Sequence, residues 1–410
     1  MITIRTITLQ LPHNLVFIER ELDKLIANFF NLTDIYIKNG FQIRTKRIGL
    51  DSMCSAGKIV EEDKILGVTA KVNSYCKNAG ARWFNIPFKL VGVDKHELAV
   101  VSNLAFRILK EYSNTFINFI VADDKNIDFT AIKSASSFIL DVSKLDSAGF
   151  NNFRVGASAN IIENTPFLPF TCSGEELGFS IGLEIPQEIN GIIKEDMTLE
   201  EIRTAILGCL VPQLSLINDF SEELSKAINI KYLGIDSSLA PYPGKNGSVG
   251  EILQKLGCDN IGSNGTLFAT SFLTNILKSF QKNNQIKTTG FCGVMYSILE
   301  DEFLSRANNS KCLTLDSLIS YASICGCGVD MVPLPGNIFV EEISSIIVDV
   351  CAQAIRLNKP LGVRVLPVPY KNTNEFTDFN MDFLFNTRIF DVKNIIFKTN
   401  EKERLFTYIQ

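Results

Sequence analysis

The sequence predicts a single large α/β domain, and three observations carry that expectation. Of 410 residues, 46% are hydrophobic and only 21% charged, which supplies a large buried core and excludes disordered and collagen-like classes. About ten extended runs alternate with helical patterns along most of the chain. No Pro/Gly/Ser linker divides it, and no repeat of roughly 20 to 50 residues is present. The domain is expected over 1–370. Residues 371–410, which open on a stretch rich in Asn, Asp and aromatics, are expected to form a C-terminal segment packed on that domain or on a partner.

The first run alternates Ile2, Ile4, Ile7 and Leu9 with polar residues and reads as a strand. Asn14 can cap a helix over 14–30, where Leu15, Ile18, Leu22, Leu25 and Phe29 make one face apolar. Extended runs follow at 41–48, 82–88 and 114–122, with helical stretches near 59–80, 94–111 and 130–143. Two more runs, 153–161 and 177–185, flank a loop carrying Pro166 and Pro169. A Thr198-x-x-Glu201 capping box then opens a long helix that should bury Leu199, Ile202, Ile206, Leu210, Leu214 and Ile217. Pro212 is expected to kink or break that helix. The runs 232–239, 288–295, 327–334 and 361–368 complete the series, with helices near 248–256 and 266–279 and one that buries Ile343, Ile346, Ile347, Val350 and Ala354. These later strands read as apolar on both sides of the pleat, as strands covered by helices require.

Forty Lys+Arg against 45 Asp+Glu leave a net charge of −5, with the two signs interspersed, so no nucleic-acid partner is expected. The N-terminal run lacks the apolar stretch of a signal peptide, and nothing approaches the roughly 20 apolar residues of a membrane span. A soluble cytoplasmic protein with no membrane partner is expected. The ten cysteines are scattered, often within apolar stretches, and read as reduced thiols packed as small hydrophobes. With only His13 and His96, neither a zinc site nor a His-activated hydrolase is expected.

Candidate chemistry sits at strand ends, where parallel α/β sheets bind ligands. Asp330 interrupts the apolar run CGCGVDMVPLPG, and a buried carboxylate there must be paired, hydrogen-bonded or metal-bound. Its structural alternative is to accept amides of the Pro333–Gly336 turn. Asp236 ends GIDSSLAP in the same way, with an Asx-turn as its alternative. The two carboxylates could converge to hold a divalent cation, Mg or Ca, or to divide acid and base roles, with Glu184 as a weaker third member. Asn160 and Thr165 offer neutral groups to orient a small polar substrate. Arg364, inside LGVRVLP, needs an anionic partner, either a substrate or Asp330. Gly265 in IGSNGT precedes a helix whose free amides could hold an anion, although a simple turn and helix cap accounts for the segment more readily. The segment lacks the P-loop Lys-Ser/Thr and the spacing of a dinucleotide fingerprint, and no haem is expected. Cys292, flanked by glycines, reads as a core thiol more readily than as a nucleophile.

At these same segments the sequence resembles the uncharacterised domain-of-unknown-function family 711, also called uncharacterised protein family 0210, whose fold is related to the pyruvate formate-lyase-like glycyl radical enzymes. The carriers are IRTIT, FRVGASANIIENTPFLPF, GFSIGLE, LGIDSSLAPYP, TTGFCGVMYSILED and the long CGCGVDMVPLPGNIFVEEISSIIVDVCAQAIRLNKPLGVRVLPVP. The resemblance implies a ten-stranded α/β barrel and no established reaction. It does not extend to the radical, because GVRVLPVPY has Pro367 and no glycine where the radical would reside. No glycyl radical is expected.

Together these readings describe an enzyme of lyase or transferase type that acts on a small anionic metabolite at a barrel mouth. Asp236, Asp330 and Glu184 would supply acid–base or metal-binding groups, Arg364 would clamp the anion, and Asn160 would orient it. A metabolite-binding regulatory protein without turnover and a structural homo-oligomer, with a homodimer as the expected assembly, are the alternatives from other classes.

Overall fold

In the computed structural model the described residues are 1–18, 21–161, 163–393 and 404–408, and they form a mixed α/β structure around a large, mostly parallel sheet. The strands are β1 (Thr3–Leu11), β2 (Gln42–Ile43), β3 (Lys46–Leu50), β4 (Trp83–Lys89), β5 (Thr115–Ala122), β6 (Asn126–Asp128) and β7 (Val155–Ala159). They continue with β8 (Gly178–Glu184), β9 (Lys231–Asp236), β10 (Gly328–Pro335), β11 (Leu361–Val368) and β12 (Leu405–Thr407). The main sheet runs in the order β10-β11-β7-β5-β4-β3-β1-β8-β9.

Strands β1, β3, β4, β5 and β7 run parallel to one another. β8 and β9 are mutually parallel, as are β10 and β11. The two directions meet where β1 pairs antiparallel with β8 and where β7 pairs antiparallel with β11. The C-terminal ends of the first five strands therefore lie at the opposite edge of the sheet from the C-terminal ends of β8 to β11.

In several strands the two faces carry two kinds of residue. Ile7, Leu9 and Leu11 of β1, Phe84, Ile86 and Phe88 of β4, and Phe179, Ile181 and Leu183 of β8 join the main apolar core with the buried stripes of the helices. The intervening positions are polar or small: Thr6, Thr8 and Gln10, Asn85, Asn118, Ser158 and Ser180, all buried. These earlier strands are thus apolar on one face only, whereas β11, one of the later strands expected to be apolar on both faces, buries Leu361, Val363 and Val365 on one face and Leu366 and Val368 on the other. The second face is covered by a chain segment, residues 163–174, instead of helices. Thr8 Oγ1 donates to the Pro166 carbonyl at 2.8 Å, Gln10 Nε2 to the Thr165 carbonyl at 3.3 Å, and Asn85 Nδ2 to the Thr171 carbonyl. A segment without ladder partners needs such side chains to satisfy its buried carbonyls.

Close approach of this segment also explains the glycines on that face. A β-carbon at Gly362 would sit 2.3 Å from the Phe170 ring, one at Gly182 2.8 Å from Phe167, and one at Gly49 2.2 Å from Thr171.

Several expected elements differ in detail. The helical pattern of 14–30 is realised as Leu15–Ile18 and Leu22–Leu32, and residues 19 and 20 lie outside the described residues. The long helix Leu199–Ile228 has its Thr198/Glu201 capping box and buries Ile202, Ile206, Leu210, Leu214 and Ile217, but Leu199 is exposed. Pro212 does not break it. The carbonyl that loses a partner belongs to Gly208, which has no side chain to crowd the turn. The run expected at 153–161 begins in a 3₁₀ turn, Phe150–Arg154, and its strand stops at Ala159. Much of 371–393 is turn and loop, and 394–403 lie outside the described residues.

The run 288–295 forms no continuous ladder, because Gly290 (φ 76°) and Cys292 (φ 46°) turn the backbone out of the extended region. It makes isolated parallel bridges, Ile235 with Thr288 and Leu239 with Val294, while Ser297 bridges to Asp330. Asp236, fully buried at the end of β9, fastens this run. Its carboxylate accepts the backbone amides of Ser238, Phe291 and Cys292 at 3.0, 2.8 and 3.0 Å, and the Ser238 hydroxyl at 2.6 Å. Burial pushes the Asp236 pKa up, against the pull of these four donors.

Two stability measurements test this account. Gly362→Ala should lower unfolding stability by about 1–3 kcal/mol through overpacking against Phe170, and an unchanged urea midpoint would contradict the close approach. Asp236→Ala should cost about 2–5 kcal/mol, because it strands three buried amides at once. Full stability in that variant would show that the amides find other partners.

Candidate functional site

Arginine inside a strand is costly unless an anion meets it. Five arginines converge on one edge of the sheet: Arg5 early in β1, Arg44 ahead of β3, Arg47 within it, Arg82 ahead of β4, and Arg364 in β11. They surround a cavity of about 310 Å³ that also takes in Trp83, Phe116, Phe153, Ser297, Glu300, Cys327 and Asp330. The tip of the 163–174 segment supplies Phe167, Leu168 and Phe170. Arg47, Cys327, Asp330 and Arg364 are buried at its base, and Arg44, Arg82 and Asp382 are exposed at its rim.

Three of the guanidiniums are matched by three buried carboxylates in an alternating chain. Glu184 accepts a two-pronged contact from Arg44, at 2.8 and 2.6 Å, and another from Arg5 at 3.1 Å. Arg5 also reaches Glu300 at 3.3 Å, and Glu300 lies 3.6 Å from Arg364. Arg364 closes the chain with a bidentate pair to Asp330, at 2.6 and 2.8 Å. Burial, the largest influence, pulls the Arg364 pKa down, and Asp330 more than offsets it, so the net shift is upward. A bulge places this pair. Between Val329 and Val332 β10 carries one residue more than β11 does between Val363 and Val365, and Met331 takes φ 52°.

Arg47 is different. It is only 5% exposed, and among the described residues its guanidinium makes one hydrogen bond, from Nε to Thr45 Oγ1 at 3.1 Å. Among the described residues no carboxylate forms an ion pair with it. Burial first, and then the neighbouring Arg5, Arg82 and Arg364 charges, push its pKa down to about 9, although Glu300 opposes the shift. At pH 7 it remains a cation. Its guanidinium carbon lies 5.1 Å from the Trp83 ring centre, and that of Arg82, likewise without an ion-pair partner among the described residues, lies 4.1 Å away.

The residues singled out in the sequence distribute as follows. Asp330 and Arg364 line the cavity and pair with each other, while Glu184 stands behind it and orients Arg5 and Arg44. Asp236 ends a strand at the same edge but directs its carboxylate to the amides of 291 and 292, not to Asp330's partner. Thr165 is buried, and its carbonyl accepts Gln10. Asn160 follows the C-terminal end of β7, at the opposite edge, and lines a separate recess with Asp51, Lys89 and Cys172. Gly265, with φ 100°, caps the helix Thr266–Asn284 and does not line the cavity. Among the described residues no group of three or more His, Cys, Asp or Glu side chains could hold a metal ion. Burial pushes the Cys292 thiol up to about 12 and Cys327 well above its ordinary value, which keeps both thiols protonated.

Sequence reasoning missed Arg5, Arg44, Arg47, Arg82, Trp83 and Glu300. The signal used for Arg364, a charge inside an apolar run, was weak for Arg47, which follows Arg44, Thr45 and Lys46 and precedes Ile48, so that it reads as the polar start of a strand.

Among the described residues no helix is long and apolar enough to cross a membrane. Relatives at comparable similarity include a UPF0210 protein of Clostridium perfringens, 26% identical over 382 residues that cover 89% of this chain and 83% of that protein. Another is a UPF0210 protein of Methanocaldococcus jannaschii, 25% identical over 92% of this chain and 88% of that protein. A UPF0210 protein of Pyrobaculum arsenaticum is 27% identical over 293 residues, where this chain spans 64% of its length. The sequence profile described as "Uncharacterised ACR (DUF711)" matches residues 2–382, so the chain belongs to the DUF711 family.

Proposed function

We propose that the protein binds a small organic anion in the arginine-lined cavity and acts on it as an enzyme of lyase or transferase type. The observation that carries the reading is Arg47, a buried guanidinium without an ion-pair partner among the described residues, lining a cavity where Arg5, Arg44 and Arg364 are matched by carboxylates. A bound carboxylate or phosphate would supply the missing charge and recover the desolvation cost. For turnover the cavity offers a hydroxyl–carboxylate pair, Ser297 Oγ donating to Glu300 Oε2 at 2.6 Å, which could pass a proton to or from a bound anion.

The cavity lies where the two strand directions meet, in accord with a sheet closed into a ten-stranded barrel. The parallel bridges of 288–297 to β9 on one side and to β10 on the other support that closure. In this reading the 163–174 segment fills the barrel interior and the cavity is its mouth. A non-catalytic metabolite-binding protein is the second reading. It is favoured by the engagement of Glu184, Glu300 and Asp330 with guanidiniums, which leaves none of them uncommitted.

Native mass spectrometry of the purified protein, followed by identification of retained small molecules, tests the reading directly. Arg47→Met should weaken retention of a bound anion by about 1.5–3 kcal/mol, roughly tenfold to more than a hundredfold. The same variant without ligand should be as stable as the parent or more so, since an uncompensated buried charge is gone. Equal retention by parent and variant would sink the assignment. Glu300→Gln separates the two readings, because it should abolish turnover of the retained compound if the protein is an enzyme.

Affinity should also depend on pH in one direction. Arg47 must be charged to bind, and its lowered pKa of about 9 means that binding takes up a proton above that value. Calorimetric affinity should hold between pH 7 and 8 and fall by up to about tenfold per unit above pH 9. Affinity that rises over that range would contradict the role of Arg47.

A further inference from the structure

Resting on the anion-binding reading, we infer that the ligand is an organic acid with a flat or branched apolar body, an aryl or branched-chain carboxylate, and not a sugar phosphate, polyol or polyphosphate. Three features of the cavity carry the inference. The first is charge. Arg5, Arg44 and Arg364 are matched by Glu184, Glu300 and Asp330, so the demand left over is that of Arg47 and Arg82, one of them at the rim. Asp382 also stands at the rim, so the five arginines and the four carboxylates Glu184, Glu300, Asp330 and Asp382 leave a net charge of +1, which one carboxylate meets. A polyphosphate would bring excess negative charge against Glu300 and Asp330.

The second feature is the wall. Trp83, Phe116, Phe153, Phe167, Phe170 and Phe291 line the cavity, and at about 310 Å³ it stands at the small end of ligand sites. Phe116 and Phe153 meet the Trp83 ring edge-on at 5.5 and 6.1 Å, and Phe170 meets Phe291 edge-on at 6.1 Å, so the wall presents two aromatic patches. Such a surface rewards a flat apolar body of modest size.

The third feature is the scarcity of neutral hydrogen-bonding groups. No Asn or Gln stands among the cavity's lining residues. Of the lining hydroxyls, Thr45 Oγ1 donates to the Arg5 carbonyl and accepts from Arg47, Ser297 Oγ donates to Glu300, and the third is that of Tyr242, whose ring lies 3.5 Å from the Arg44 guanidinium carbon. The hydroxyls of a sugar or polyol would be stripped of water with few partners in exchange, which is the condition under which a site rejects a polar ligand. Trp83 joins the two halves of the site, because the unmatched guanidiniums of Arg47 and Arg82 lie beside the ring that continues into the aromatic wall.

Trp83 is the only tryptophan in the chain and so reports on its own site. The full-length protein would be titrated with phenylacetate, 3-phenylpropionate, 4-methylpentanoate, acetate, inorganic phosphate, glucose 6-phosphate, pyrophosphate and neutral phenylacetamide. Tryptophan emission is one readout and calorimetry the other. The expected result is saturable binding of the aryl and branched-chain acids, at least tenfold tighter than acetate, phosphate or glucose 6-phosphate. Phenylacetamide should bind at least tenfold more weakly than phenylacetate, and Arg47→Met should remove that difference. If the phosphates bind as tightly as the apolar acids or more tightly, the inference falls while the anion reading stands. Should none of the anions bind, or should phenylacetamide match phenylacetate, the anion reading itself falls. Arg47→Lys, which keeps the charge, should melt like the parent and retain measurable preference for phenylacetate over its amide, and loss of that preference in a variant that still melts cooperatively would overturn the role of the Arg47 charge.

Discussion

The structure depends on how the second face of its sheet is covered. One face packs against helices, and that half of the problem is solved by apolar side chains alone. Across the other face runs the 163–174 segment, whose backbone carbonyls arrive in a buried place with no strand to pair with. They are met by Thr8, Gln10 and Asn85, and the space they need is left by Gly49, Gly182 and Gly362. An apolar inner face would have been easier to pack and would have left those carbonyls stranded, at roughly 1–3 kcal/mol each. The same segment carries Phe167, Leu168 and Phe170 to the edge of the sheet, where they become a wall of the cavity. Fold and site therefore share one origin.

The second organising element is electrostatic. Arg44, Glu184, Arg5, Glu300, Arg364 and Asp330 alternate in sign across parts of the chain that are far apart in sequence. Buried ion pairs of this kind add little net stability, because desolvation offsets most of the attraction. Their effect is positional. Each guanidinium is held by a geometry that few rotamers satisfy, and the cavity receives a rigid lining. Arg47 lies within the influence of this network without a place in the alternation, and it leaves the cavity with surplus positive charge.

Much of the element order was legible in the sequence. Period-two alternation at 2–9 and 177–185, the capping box at Thr198, and the apolar stripe of Ile343, Ile346, Ile347 and Val350 are local patterns, and local patterns survive into the fold. The misreadings have physical causes that are equally specific. Small and polar inner-face residues such as Ser180 and Gly182 do not reveal that a loop, not a helix, will lie on them. The run 288–295 has strand composition, but Gly290 and Cys292 leave the extended region, so its pairing is reduced to isolated bridges.

The candidate site was legible in part. Asp330 and Arg364 could be recognised because a charge inside an apolar run demands a partner, and they turned out to be each other's. What the sequence by itself determined is the set of elements, the apolar face of each, and the presence of charged residues that could not be buried alone. Only the tertiary structure decided which of those residues meet. Because the two sets of strands run in opposite directions, Asn160 at the end of β7 and Asp330 in β10 belong to different neighbourhoods, while Arg47 and Arg82, from the beginnings of β3 and β4, join Arg364 of β11. Whether a buried charge has a partner is a fact about long-range contacts, and no local pattern carries it.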